Sequence, residues 1–288
     1  MKRVSKKIAQ DFLQHVVGSA YARSRQGTAS ARSISRDTVR SRDLFCRTTR
    51  FPEVPDSTLI LIVDAVIKRV GRKYYTAYCF FLRPPESEKA VILPPIILRG
   101  TESQRQWQNA FKELPFDIHT RVQALVCDGH RGPVNYAKQQ GWYLQRCHFH
   151  LVASIQGRHS RWAQSRLREE GRFIFSLVRE ALTTHDEARA EYLCGLIREC
   201  AGSVSSRELK RILLGFVNNY RDYRSYQYVP ELNLPTTTNT AESFIGSIEE
   251  LCHRLRGFST VKSFEKWTEA LTKLRRTIKC SGTHQQNF

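Results

Sequence analysis

Three acidic residues stand where a carboxylate is costly or unusual. Asp64 interrupts the apolar run Leu59-Ile60-Leu61-Ile62-Val63, which resumes at Ala65-Val66-Ile67. Asp128 closes a second run, Ala124-Leu125-Val126-Cys127, and Gly129 follows it. Glu242 comes much later, in Thr236-Thr237-Thr238-Asn239-Thr240-Ala241-Glu242, where helical spacing begins. A carboxylate removed from water must be paired, protonated or bound to a cation, because leaving it bare costs several kcal/mol or more. Clustered acids in a basic chain suit a divalent cation with a phosphate beside it. Two such ions, roughly 3.5–4 Å apart, activate the attacking oxygen and stabilise the leaving oxygen of a phosphodiester displacement. Mg²⁺ retains waters, so three carboxylates from separate elements suffice to hold it.

Each position has a plainer alternative. Asp64 could be a buried acid paired with Lys or Arg. Asp128-Gly129 could be turn chemistry. Glu242 follows Asn239 by three residues, as in a capping box, and an acid in the first turn suits the helix dipole. The apolar face of that helix is Phe244, Ile245, Ile248, Leu251, Cys252 and Leu255, and Glu242 falls outside its arc. Glu249, one heptad on, is a substitute candidate. Cys147-His148-Phe149-His150 forms a second dense spot. A structural zinc ion needs four ligands, and no second pair sits at finger spacing, although a remote Cys127 could contribute. The alternative is a buried cysteine at a strand end with histidines on the next turn. His130 lies close to Asp128 and could contact DNA or water, or be exposed. No phosphate-binding Walker loop, dinucleotide fingerprint or serine nucleophile elbow is present.

Composition narrows the partner. The 288 residues hold 46 Lys plus Arg against 27 Asp plus Glu, a formal charge of +19. That surplus repels itself unless it lies against a polyanion, and nucleic acid fits better than membrane because no long apolar helix accompanies the charge. No apolar run approaches the ~20 residues that span a bilayer, and no signal-peptide core follows the basic N-terminus. The eight cysteines include no Cys-x-x-Cys pair and are irregularly spaced, as expected of reduced thiols inside a cell.

The elements that must position these groups follow from periodicity. Residues 1–55 are polar and rich in Arg and Ser, with a helix expected over 8–23 and another from Ser33 or Ser35. The second suits either the start of a recognition helix in a partial helix-turn-helix or a solvated basic arm with a Ser N-cap. Strands are expected at 59–68, 73–82 and 90–98, the last an edge strand split by Pro94-Pro95. A helix over 101–114 presents Trp107, Ala110, Phe111 and Leu114 on one side; strands at 122–127 and 142–147 flank a helix over 133–140 that Gly141 stops. This βββ-α-β-α-β order requires a mixed sheet covered by helices. If strands 59–68 and 122–127 pair, Asp64 and Asp128 become neighbours. Helical spacing then runs through 173–182, 188–200 and 209–223, and two terminal helices are expected at 241–256 and 261–278.

Taken in order, these segments resemble the DDE transposases of bacterial insertion sequences and Mutator-like elements over roughly residues 56–278. The resemblance rests on Asp64 in its apolar strand, Cys127-Asp128-Gly129, Cys147-x-x-His150, Thr237-Thr238-Asn239-Thr240-Ala241-Glu242 and Arg254-Leu255-Arg256-Gly257-Phe258-Ser259. It implies an α/β fold with a ribonuclease H-like mixed sheet, flanking helices and an all-helical insertion. The implied division is a basic arm at 1–55, the first part of the catalytic core at 56–150, the insertion at 151–235 and the completing helices at 236–288. It implies that Asp64, Asp128 and Glu242 bind Mg²⁺ or Mn²⁺, as two ions, and catalyse DNA strand cleavage and strand transfer. Cys147 and His150 match the family's Cys-x-x-His signature. The implied partners are DNA, both element ends and target, and further copies of the chain, in the bacterial cytoplasm at the nucleoid or in a eukaryotic nucleus. A fuller N-terminal zinc ribbon is usual in relatives, whereas only Cys46 precedes the core here. The rival expectations are a ribonuclease H-like nuclease or resolvase and a catalytically inactive, transposase-derived DNA-binding protein.

Overall fold

The computed structural model describes residues 31–161 and 168–280. The helix expected over 8–23 lies outside these residues. The fold is α/β, with one mixed sheet and many helices. A first helix, α1 (Ala31–Thr48), leads into β1 (Leu59–Val70), β2 (Lys73–Arg83), β3 (Lys89–Ile92) and β4 (Ile96–Arg99). Helices α2 (Gln104–Lys112) and α3 (Phe116–Arg121) carry the chain to β5 (Val122–Cys127), and α4 (Arg131–Gln140) carries it to β6 (Tyr143–Arg146). With the late strand β7 (Thr277–Lys279), the strand order is β6-β5-β1-β2-β3-β7, and β4 also pairs with β2. β1 and β2 form an antiparallel hairpin around Gly71, whereas β1–β5 and β5–β6 are parallel and need the helical crossovers between them.

Both faces of the central strands are covered, which is why β1 reads as a continuous apolar run and not as an alternating one. Leu59, Leu61 and Val63 pack with Trp107, Phe111 and Ile118 on one face. Ile60, Ile62 and Val66 pack with Phe244, Ile248, Phe264 and Trp267 on the other. Asp64 alternates onto this second face. Trp107, Ala110, Phe111 and Leu114 are all buried, as the helical spacing predicts.

Two expected elements differ. The single edge strand at 90–98 is two segments: β3 pairs with Phe81–Leu82, while β4 pairs with Tyr75–Tyr78 further along the same edge of β2. The Pro94-Pro95 break separates them, since proline supplies no ladder donor. β3 is not at the edge, because β7 (Thr277–Lys279) pairs with it. The terminal helix expected to 278 therefore ends sooner: α12 (Val261–Arg275) stops where Arg276 adopts a positive φ of 56°.

After β6 the chain is helical through α5 (His148–Arg161), α6 (Arg168–Thr183), α7 (Glu187–Ser203), α8 (Arg207–Val217) and the single turns α9 (Tyr220–Tyr223) and α10 (Ser225–Tyr228). The helix expected over 209–223 is thus two pieces, with Asn219 between them. This region has its own core of Leu151, Ile155, Val178, Leu193, Leu213 and Phe216 among others. It is fastened to the β6 edge by Gln145 Nε2 donating to the Tyr223 carbonyl (2.9 Å) and Ser225 Oγ donating to the Leu144 carbonyl (2.6 Å). The fully buried Arg224 donates to the carbonyls of Ala181 and Thr184 at 2.7 and 2.8 Å. α11 (Asn239–Arg254) then crosses the second face of the sheet.

α1 is joined to α12. Phe45 is buried, Arg42 stacks 5.2 Å from the Trp267 ring, and Lys273 Nζ donates to the Cys46 carbonyl at 2.6 Å. No helix of the described residues is long and apolar enough to cross a membrane.

Candidate functional site

The parallel register pairs Ile60 with Ala124 and Ile62 with Val126. Asp64 and Asp128 each lie two residues beyond that last pair, on the face that α11 covers. Past Ile62, β1 continues against β2 without β5, so both carboxylates stand at a corner of the sheet, half-buried. Asp64 Oδ1 accepts from the Ala65 amide at 2.7 Å, and Asp128 Oδ1 accepts from the His130 amide at 2.8 Å.

Glu242 reaches this corner because of the helix that carries it. Ala241, Phe244, Ile248 and Leu251 are buried against the sheet, with Phe244 edge-on to Phe81 at 5.7 Å. Each large apolar side chain so buried stabilises the docking by roughly 1.5–3 kcal/mol. Docking fixes the helix's rotation, and Glu242 in the first turn then projects beside the sheet corner, half-buried. The helical wheel places it off the apolar arc, and that remains true; the first turn simply lies where the arc no longer decides what is enclosed. Glu249 is elsewhere: it is exposed and paired with Lys68 at 2.6 Å.

The Cys-x-x-His segment joins the same corner. Cys147 ends the β6 run and is fully buried, and His150 lies in the first turn of α5. The Thr238 amide donates to Cys147 Sγ at 3.3 Å. The Thr238 hydroxyl lies 3.4 Å from Cys147 Sγ, 3.4 Å from His150 Nδ1 and 3.3 Å from Glu242 Oε1. His150 Nδ1 is 3.7 Å from Glu242 Oε1. His148 faces away: it is buried against the Tyr223 carbonyl, to which its Nε2 donates at 2.6 Å, and burial pushes its pKa down to about 4. His130 uses its ring to cap α4, accepting from the Gly132 amide at 3.1 Å.

The electrostatics register the convergence. Burial, with Asp128's charge next in size, pushes the Asp64 carboxyl up to about 7; the Ala65 amide and His150 oppose this, and Glu242 adds to it. His150 is pushed up to about 9, first by its hydrogen bond to Cys147, with Asp128 and Glu242 adding to the rise and burial opposing.

The site also holds an acid that sequence reading passed over. Glu102, before α2, accepts from Trp107 Nε1 at 2.7 Å and lies 3.6 Å from His130 Nδ1. Burial raises its pKa, the Trp107 bond opposes, and Asp128 adds to the rise. Its only local signal was its place beside Thr101, where the helix over 101–114 is expected to start. Arg146, at the end of β6, was passed over too.

Among the described residues, one group of three candidate ligands converges within the reach of a single ion: Cys147, His150 and Glu242, whose ligand atoms lie within 4.8 Å of one another. A sulfur, a ring nitrogen and a carboxylate form a donor set that suits zinc, whereas Mg²⁺ prefers oxygen. Asp64, Asp128 and Glu242 do not form such a group of three, although the charges of Asp128 and Glu242 both reach Asp64. No protein-family model matches the chain, and no curated protein is significantly similar to it.

Proposed function

We propose that this chain is a DNA transposase with a ribonuclease H-like core, catalysing metal-dependent strand cleavage and strand transfer. The observation that carries the reading is the placement of Asp64 and Asp128 on adjacent parallel strands, with Glu242 near the same corner and the charges of both other acids felt at Asp64. Two acids whose charges raise the cost of ionising Asp64 make a site that a divalent cation relieves. Asp64, Asp128 and Glu242 would hold Mg²⁺ or Mn²⁺, and the bound ions would supply activation of the attacking oxygen and stabilisation of the leaving one. The protein's own groups hold the acids in place: the Ala65 and His130 amides orient the aspartates, and the Thr238 hydroxyl orients Glu242. Protonated His150 offsets the acids' charge beside Glu242. The +19 surplus would hold DNA phosphates without reading sequence, and pairing of two DNA ends calls for more than one copy of the chain.

The test is cleavage of plasmid DNA with Mg²⁺ or Mn²⁺, and joining of a labelled 3′-hydroxyl end to target DNA. Wild type should cut and join, while Asp64→Asn, Asp128→Asn and Glu242→Gln should do neither yet still bind DNA. Cutting without joining would make the chain a nuclease or resolvase. Cleavage by the Asp128→Asn variant would refute the assignment.

A second reading is favoured by Cys147, His150 and Glu242 lying within one ion's reach. There Glu242 serves a zinc ion held with Cys147 and His150, and the chain is a DNA-binding protein without cleavage activity. Stoichiometric zinc in the purified protein, lost in Cys147→Ala and accompanied by no cleavage, would establish it.

A further inference from the structure

We propose that the cleft between the end of β6 and the helical region is a phosphodiester-binding subsite, in which Arg146 grips the phosphate and Arg211 supplies a second cation. This rests on the reading that the chain acts on DNA, and it adds where one strand's backbone lies. The cleft has a volume of about 370 Å³ and is lined by Asp128, Gly129, Arg146, Arg211 and Tyr223 among others. It therefore joins the acidic corner to α8. Its size falls within the roughly 300–1,000 Å³ typical of ligand pockets.

Arg146 is held but not satisfied. In the parallel register it sits beside Cys127, one residue before Asp128. The Tyr223 ring covers its guanidinium face at 4.6 Å. Gly129, at φ +99°, makes room on another side: a Cβ there would lie 2.4 Å from Arg146 Nη2 and 2.6 Å from Nε. The Nε–H is buried, and among the described residues nothing accepts from it. No acid forms an ion pair with Arg146 among those residues, although Asp128 shares the cleft. A buried donor left without an acceptor is costly, and more so when charged. Stacking on Tyr223 and the close approach of Gly129 to its Nε edge fix the guanidinium where it lines the cleft, and its remaining N–H donors suit the oxygens of an oxyanion bound there. A phosphodiester is the oxyanion that also accounts for Arg211 across the cleft and for the chain's excess of positive charge.

The experiment measures binding of a dye-labelled short thymidine oligonucleotide by anisotropy over a salt series, in EDTA so that no strand is cut. Each phosphate neutralised on single-stranded DNA contributes about 0.7 to the slope of log affinity against log salt. Arg146→Gln should lower the slope by about 0.7 and weaken binding about tenfold. Arg146→Lys should restore the slope but only part of the affinity. Arg211→Gln, on a surface position of α8, should also lower the slope, and Lys279→Gln on β7 at the far edge of the sheet should not. A folded Arg146→Gln protein with wild-type slope and affinity would overturn the subsite. Where Arg146→Gln fails to fold, an unchanged slope in Arg211→Gln overturns it. Plasmid cleavage is scored separately. A lowered slope without wild-type cleavage sinks the enzyme reading alone, and cleavage with an unchanged slope sinks the subsite alone.

Discussion

Thr238 and Cys147 lie 91 residues apart and meet at the site, where the Thr238 amide donates to the Cys147 sulfur at 3.3 Å and the hydroxyl stands 3.4 Å away. Thr238 immediately precedes the helix that carries Glu242, and Cys147 immediately follows β6, its amide donating to the Cys127 carbonyl at 2.8 Å. The contact therefore pins the start of α11 to the sheet. Cys147→Ala leaves a buried amide without an acceptor and should cost about 1–3 kcal/mol in urea unfolding. Cys147→Ser keeps an acceptor and should lose clearly less. Equal losses would show that packing volume, and not the hydrogen bonds, is what the sulfur provides.

Asp64 titrates at about 7 in the folded chain, against 3.8 for the free side chain. The native state therefore keeps a proton that the unfolded state releases earlier. Stability should fall as pH rises from about 4 to 7 and stay lower above that. Asp64→Asn removes the ionisation and should stabilise the metal-free protein at pH 8 by on the order of 2 kcal/mol. Thermal melts in EDTA check this. Adding Mg²⁺ or Mn²⁺ should raise the wild-type Tm at pH 8, less so at pH 5, and leave Asp64→Asn nearly unmoved.

Glu242 and Glu249 separate cleanly by substitution. Glu249 makes an exposed ion pair with Lys68, and such pairs are worth about 0–1 kcal/mol. Glu249→Gln should therefore leave both stability and strand cleavage near wild type. Glu242→Gln keeps the shape but removes the charge, and cleavage should fall at least about a hundredfold, some 2.7 kcal/mol in the barrier. The reverse pattern in a cleavage time course would move the third acid to Glu249.

Gly129→Ala tests the turn that links the aspartate to the cleft. A left-handed φ of +99° is strained for alanine, and the added carbon meets the Arg146 guanidinium. The variant should lose roughly 1–3 kcal/mol, and Arg146 should leave the Tyr223 ring. Urea unfolding measures the first, and tyrosine near-ultraviolet circular dichroism the second.

Most of the elements were legible along the chain because their signals are local. The apolar runs at 59–68 and 122–127, the faces of Trp107–Phe111 and Phe244–Ile248, and the stop at Gly141 depend only on neighbouring residues. The oddity of Asp64 was legible for the same reason: an acid inside an apolar run needs no partner to be noticed. Less local features were misread or missed. β7 is three residues long, and β3 pairing makes it a strand; Glu102 is one more polar residue before a helix until Trp107 and His130 close around it.

The period of each segment, the basic surplus and the carboxylates that would be costly to bury are all written in the order of residues along the chain. Only the tertiary structure decided that β5 lies parallel beside β1, that α11 docks with its first turn at the sheet corner, and that Cys147, Thr238, His150 and Glu242 share one neighbourhood. The reason is range. Periodicity is written in residues a few positions apart, whereas strand pairing and helix docking are selected by contacts a hundred residues apart, whose energies no single segment contains.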